Sequence, residues 1–223
     1  MGSGKPPQHD HGTGHGHGHG HGHGHGHGGA TIDYPRAYEV FAELGFAGRR
    51  RLVFTQLAAL TGARAGDTIV DVGCGTGFLT RLLAPLVAPG GQVIGVDPAP
   101  QMIEYARRHA PRNCTYRIGE GQALDLARES CDAVVSSLAV HHIPAEERAT
   151  AVAEMFRVLR PGGRLLIAEF RPPAIAVVAR LLRPVLPDSP KELLSALVPA
   201  AGFRLQTEGD LRPSLYYLRA VKP

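Results

Sequence analysis

The sequence predicts an α/β fold, a parallel sheet with helices on both faces, and three observations carry that prediction. Short apolar segments alternate with helical ones along most of the chain. One of them, Ile69-Val70-Asp71-Val72, runs into the glycine-rich turn Gly73-Cys74-Gly75-Thr76-Gly77. Another, Val93-Ile94-Gly95-Val96, ends on Asp97 about twenty residues later, the spacing of a nucleoside-binding unit. Strands buried on both faces read as near-continuous apolar runs. A glycine turn at the end of such a strand brings bare backbone to a ligand, and a carboxylate ending the next strand can accept hydrogen bonds from a ribose diol.

The elements follow in order. A helical lead-in is expected from about Tyr34 to Leu60, then strand one over Thr68–Val72 and the first crossover helix over Leu79–Leu86, ended by Pro89-Gly90-Gly91. Strand two takes Gln92–Val96, a helix Gln101–His109, and strands three and four Thr115–Ile118 and Ala133–Ser136. The next helix has Pro144 in its first turn, Glu146 and Glu147 at its positive end, and Arg157 and Arg160 at its negative end. Its Val152, Met155, Phe156 and Leu159 recur at i, i+3, i+4, i+7 and predict one buried stripe. Pro161-Gly162-Gly163 should stop it, with Gly163 as the exit residue, before strand five over Arg164–Glu169. A last helix over Lys191–Ala201 exits through Gly202, and two final strands fit Arg204–Glu208 and Leu215–Val221.

At 223 residues the chain has room for one domain, placed at 30–223 behind a leader at 1–29. In that leader His15, His17, His19, His21, His23, His25 and His27 alternate with glycine, so nothing apolar offsets the entropy of ordering and disorder is expected. Neutral imidazoles ligate divalent transition metals, which makes weak divalent metal binding by the leader one reading. An affinity handle, or a tract without a specific role, are the others. The net charge of +4 reads as a mildly basic surface, with no nucleic-acid partner expected. No apolar stretch is long enough to span a bilayer, and none near Met1 suits a secretory signal. Three unpatterned cysteines, Cys74, Cys114 and Cys131, suit a reducing cytoplasm.

The glycine spacing separates two chemistries. Counted from Gly73, the dinucleotide fingerprint G-x-G-x-x-G fails at Phe78. The run is D-x-G-x-G-x-G instead, with Asp71 two residues before the first glycine. With Asp97 closing the next strand, it resembles the first motif of the class I methyltransferases that use S-adenosyl-L-methionine (SAM). The resemblance covers roughly Tyr34 to Pro223 and is nearest to the small ubiquinone- and menaquinone-biosynthesis type. It is carried further by Gly119-Glu120-Gly121-Gln122-Ala123-Leu124, by Ser136-Ser137-Leu138-Ala139-Val140-His141-His142-Ile143, and by Arg157-Val158-Leu159-Arg160-Pro161-Gly162-Gly163.

That resemblance implies a Rossmann-like doubly wound sheet of seven strands, order 3-2-1-4-5-7-6, the last antiparallel. It implies SAM as cofactor, with Gly73 and Gly75 backbone near the methionine portion and Asp71 holding their loop. Asp97 would accept from both ribose hydroxyls, and Met102 would pack on the adenine face or simply in the core. Glu120 and the Gly121 amide would address the adenine edge, although the family favours Asp-Ala where this chain has Glu-Gly. Ser137 would lie beneath the donor.

A sulfonium methyl group is already activated, so alignment and exclusion of water can supply much of the rate. A base is needed only where the acceptor must lose a proton. His141 and His142, at the exit of strand four, are the candidates for that base or else pack and cap beside Pro144. Tyr38 either lies across the SAM site or packs as an ordinary tyrosine. The apolar stretch Ile175, Val177, Val178, Leu181, Leu182, Val185 and Leu186 would cover the core or the acceptor pocket, favouring an apolar acceptor. A metalloid methyltransferase would need thiolates converging on the methyl donor, and the three cysteines are not placed for that. The reading is therefore a cytoplasmic SAM-dependent methyltransferase acting on a small molecule. A metal-binding protein working through the leader and a nicotinamide-dependent reductase are the alternatives.

Overall fold

The computed structural model describes residues 1, 39, 43, 46, 48–171 and 189–223. Apart from Met1, the leader lies outside these residues, as do Tyr38 and the apolar stretch from Ile175 to Leu186. In chain order the described elements are α1 (Arg50–Leu60), β1 (Thr68–Val72), α2 (Phe78–Val87), β2 (Gln92–Asp97), α3 (Pro100–Arg108), β3 (Cys114–Ile118) and β4 (Cys131–Ser137). A 3-10 turn over Val140–His142 follows, then α4 (Arg148–Val158), β5 (Leu159–Phe170), α5 (Pro190–Ala200), β6 (Arg204–Leu211) and β7 (Leu215–Val221).

The seven strands form one sheet in the order β3-β2-β1-β4-β5-β7-β6, as the family resemblance implies. β3, β2, β1, β4 and β5 run parallel, and β7 is antiparallel to both neighbours. Alternation along the strands sends side chains to two separate cores. Ile69, Val93, Ala133, Val135 and Leu166 pack under α1, α2 and α3 with Leu57, Leu83 and Ile103. Val70, Ile94, Val134, Leu165 and Ile167 pack under α4 and α5 with Met155, Val158, Leu194 and Val198. The sheet is thus wound on both faces.

Two expected boundaries shift. α4 starts at Arg148, because Pro144 begins a preceding turn in which Glu147 N–H donates to Pro144 C=O at 2.9 Å. It ends at Val158, ahead of Pro161-Gly162-Gly163. A helix running into Pro161 would clash at the Arg157 carbonyl, and the residue before proline disfavours helical geometry. Leu159 is already extended and pairs with Cys131, with a register shift before Arg164 meets Ala133. Arg160 therefore leaves the helix end and pairs with Asp132. The left-handed residue is Gly162, φ +76°, rather than Gly163, whereas Gly202, φ +99°, does leave α5 as expected.

Parallel pairing lines up the C-terminal ends of the central strands. Asp71 stands opposite Gly95 of β2 and Val135 of β4, Asp97 opposite Ile118 of β3, and Ser137 opposite Ala168 of β5. That edge carries the candidate residues. Among the described residues no helix is long and apolar enough to cross a membrane.

Candidate active site

Beyond β1 the chain reverses through Gly73, whose N–H donates to Val96 C=O at 2.8 Å, joined by Cys74 N–H at 3.0 Å. Gly73 has φ +73°, and a Cβ there would stand 2.2 Å from the Cβ of Ala139. Only glycine lets the turn close against the loop after β4. At Gly75 no described residue comes within 4 Å of where a Cβ would be. Its N–H donates to Asp97 Oδ2 at 2.8 Å, and Asp97 Oδ1 accepts from Ala99 N–H at 2.9 Å. Asp97 thus ties the glycine turn to the start of α3 and keeps unused acceptor capacity on each oxygen. Burial raises its carboxyl above the ordinary range, against the pull of those two amides. Asp71 is 1% exposed and accepts from the Thr80 hydroxyl at 2.6 Å, joining the end of β1 to α2.

These ends enclose a cavity of about 280 Å³. Asp71, Gly73, Gly75, Asp97, Met102, Glu120, Gly121, Ser137 and His142 all line it. Sequence positions far apart therefore meet in one place. Met102 is also 4% exposed, so its packing and its place in the wall coexist. Glu120 accepts from the Gln122 amide at 2.9 Å, and the same amide donates to Glu147 at 2.7 Å. The Ser137 hydroxyl is buried and has no hydrogen-bond partner among the described residues. Phe54, Phe78, Leu138, Ile143 and Pro144 add apolar lining to the same cavity.

The two histidines separate. His142 lines the cavity, while His141 does not. His141 Nδ1 instead lies 2.5 Å from Oε2 of Glu169, a carboxylate 1% exposed at the end of β5. The rings of the two histidines lie 4.0 Å apart between centroids. Desolvation by the surrounding protein, and next the charge of His141, push the His142 ring down to about 4. His142 is an exposed residue, and water screens part of the push.

Arg50 of the cavity wall and Glu39 behind it carry no sequence signal. Arg50 is 3% exposed, lies 4.0 Å over the Phe78 ring, and donates to Glu39 at 2.7 Å. Glu39 also accepts from the Thr76 hydroxyl of the glycine turn. Burial would raise the Glu39 carboxyl, but the Arg50 and Thr76 hydrogen bonds outweigh it and hold it below the usual range. Glu169 did have a signal, since it ends an apolar strand just as Asp97 does.

A family described as a methyltransferase domain matches residues 70–167, from β1 through β5. The chain is 35% identical over 141 residues to a demethylmenaquinone methyltransferase of Symbiobacterium thermophilum, covering 61% of this chain and 55% of that one. It is 41% identical over 108 residues to an arsenite methyltransferase of Halobacterium salinarum, covering 47% and 27%. A SAM-dependent methyltransferase structure from Aquifex aeolicus superposes with a TM-score of 0.68 at 18% identity, over 85% of this chain and 99% of that one. Over residues 70–167, under half of its length, the chain is thus similar to the methyltransferase-domain family, and it shares the fold of a SAM-dependent methyltransferase. It spans 55% and 27% of the lengths of those two curated relatives.

SAM is the cofactor of this family, and the residues present fit it. Gly75, the spare acceptor capacity of Asp97 and the Ser137 hydroxyl, which has no partner among the described residues, all line one cavity. The three cysteines do not converge on the cavity. Cys74 lines the cavity, Cys114 and Cys131 do not, and burial pushes all three thiols upward.

Proposed function

We propose that this chain transfers the methyl group of SAM to a small, apolar acceptor. The observation that supports this most directly is the meeting of Asp97, the glycine turn and the residue 119–122 loop in one cavity with apolar lining. When bound, SAM supplies a methyl group already activated for in-line displacement. Gly73 and Gly75 would present backbone to its methionine portion, with Asp71 fixing their turn through Thr80. Asp97 would take the ribose hydroxyls, Met102 the adenine face, Glu120 and the Gly121 amide the adenine edge, and Ser137 the underside of the donor. Phe54, Phe78 and Ile143 would exclude water and select an apolar acceptor.

His142 is the base in this reading, and His141 acts behind it. An imidazole held low is unprotonated at neutral pH and ready to take a proton, with a modest driving force. That suits an acceptor whose own proton is acidic, or one that needs no base. The catalytic unit is the domain at 30–223. Its free, buried cysteines suit a reducing compartment, so we assign it to the cytoplasm. Metal capture by the leader would be separate, and deleting residues 1–29 should leave SAM binding intact.

Isothermal titration tests the donor site. Wild type should bind SAM, and Asp97→Ala should weaken it at least about tenfold by removing hydrogen bonds to a charged acceptor. Undiminished binding by the variant would defeat the assignment. Incubating cell extract with the protein and radiolabelled SAM, then identifying the labelled product, would name the acceptor.

A further inference from the structure

We infer that Glu169 is a positioning residue that fixes the tautomer of His141 and locks the residue 138–143 loop against the glycine turn. The donor-binding arm of this inference rests on the proposed SAM site, whereas the tautomer arm does not.

Glu169 is 1% exposed, and among the described residues its one ion-pair contact is His141. Burying a carboxylate is costly unless hydrogen bonds satisfy it, and an apolar side chain of similar size often serves stability as well. Both oxygens of Glu169 reach the same short loop: Oε1 accepts from Val140 N–H at 2.8 Å, and Oε2 faces His141 Nδ1 at 2.5 Å. The loop is otherwise hard to hold. Leu138 adopts φ +59°, a conformation that costs a bulky residue free energy, and its N–H is anchored to Ala168 C=O at 2.8 Å. The Arg148 guanidinium closes the far side, donating to the carbonyls of His141 and Ile143.

What the loop touches gives the lock its consequence. Ala139 abuts Gly73, so the loop backs the glycine turn on the donor side. His142, its ring against that of His141, faces the cavity. Displacing the loop would therefore disturb the donor turn and the candidate base together.

An ionised carboxylate only accepts, so a neutral His141 must carry its proton on Nδ1 and leave Nε2 bare. Glu169→Gln separates the two tasks. Its amide oxygen can keep the Val140 hydrogen bond, while its NH₂ group faces Nδ1 and selects the opposite tautomer. Glu169→Leu removes both contacts.

The test is NMR of ¹⁵N-histidine-labelled full-length protein at a pH where the ring is neutral, with His141 assigned by its loss in His141→Asn. Wild type should show Nδ1 protonated, and Glu169→Gln should move the proton to Nε2. By titration calorimetry Glu169→Gln should bind SAM within about twofold of wild type, and Glu169→Leu about tenfold more weakly. A wild-type proton on Nε2, or an unchanged tautomer in Glu169→Gln, overturns the inference. So does a folded Glu169→Leu that keeps wild-type SAM affinity. If Glu169→Leu does not fold, the tautomer in Glu169→Gln decides. Failure of wild type to bind SAM would sink the donor assignment and leave the tautomer result standing.

Discussion

At the N-terminal edge of the sheet the carboxylates are paired with cations. Asp67 meets Arg164 at 2.5 Å, Asp132 meets Arg160, and Glu129 meets Lys222 at 3.3 Å. At the C-terminal edge Asp71, Asp97 and Glu169 are 1%, 9% and 1% exposed, and among the described residues no lysine or arginine pairs with them. Their partners are a hydroxyl, backbone amides and an imidazole. The carboxyl groups respond in opposite directions. Burial would raise Asp132, but the Thr68 amide and Arg160 hold it below its usual range, whereas burial raises Asp71 and Asp97. One edge uses charge to fasten strands. The other holds carboxyl groups that no lysine or arginine among the described residues offsets, and a cationic ligand there would favour their ionised form.

Close backbone packing at the C-terminal edge sets the largest expected effect. Gly73→Ala adds a Cβ against Ala139 at a left-handed position. Overpacking and the φ penalty together should cost about 3 kcal/mol of unfolding free energy and remove SAM binding. Urea denaturation with calorimetric titration checks both. A loss below about 1 kcal/mol would mean that the loop after β4 gives way, and that the C-terminal edge is looser than drawn.

Asp132→Ala probes the opposite edge. Asp132 accepts from Thr68 N–H at 2.8 Å as well as from Arg160, so truncation strands a half-buried amide at the start of β1. The loss should be about 1–2 kcal/mol, with SAM affinity unchanged. Because the folded carboxyl is held low, its stabilisation is present above the unfolded value near 3.8 and disappears as pH falls through the folded one. The gap between wild type and variant should therefore close in acid. A variant that also loses SAM would show that the two edges are not independent.

The same contrast explains what was legible in the sequence. Asp71 and Asp97 could be read because a glycine turn and a strand end fix their neighbours at known offsets, and the sheet order followed from the resemblance those motifs carry. Glu169 closes Leu165-Leu166-Ile167-Ala168 just as Asp97 closes its own strand. Its partners lie 28 and 29 residues back, on a loop whose path depends on Leu138 and Arg148, and no local pattern announces that. His141 and His142 are adjacent on a 3-10 turn, so sequence placed both at the crevice without telling which ring faces it. Arg50 and Glu39 meet across the start of α1 and the glycine turn, a contact made only by tertiary packing.

The smallest effect concerns a proton. Burial raises the Asp71 carboxyl, the Thr80 hydroxyl pulls it back, and nearby Asp97 adds to the rise, leaving it at about 7. Between its unfolded value near 3.8 and about 7 the folded chain holds a proton that the unfolded chain has released. Ligand-free stability should therefore fall as pH rises through that window. A cationic donor favours the ionised carboxylate, so SAM should bind with proton release, and its affinity should rise up to about tenfold between about pH 6 and about pH 8. Calorimetry in buffers of different ionisation heat measures the proton directly. Asp71→Asn, which can still accept from Thr80, should flatten the dependence, and the donor's own amine titrates alike in both proteins. An Asp71→Asn profile as steep as wild type would place the titrating group elsewhere on that edge, with Asp97 the next to test.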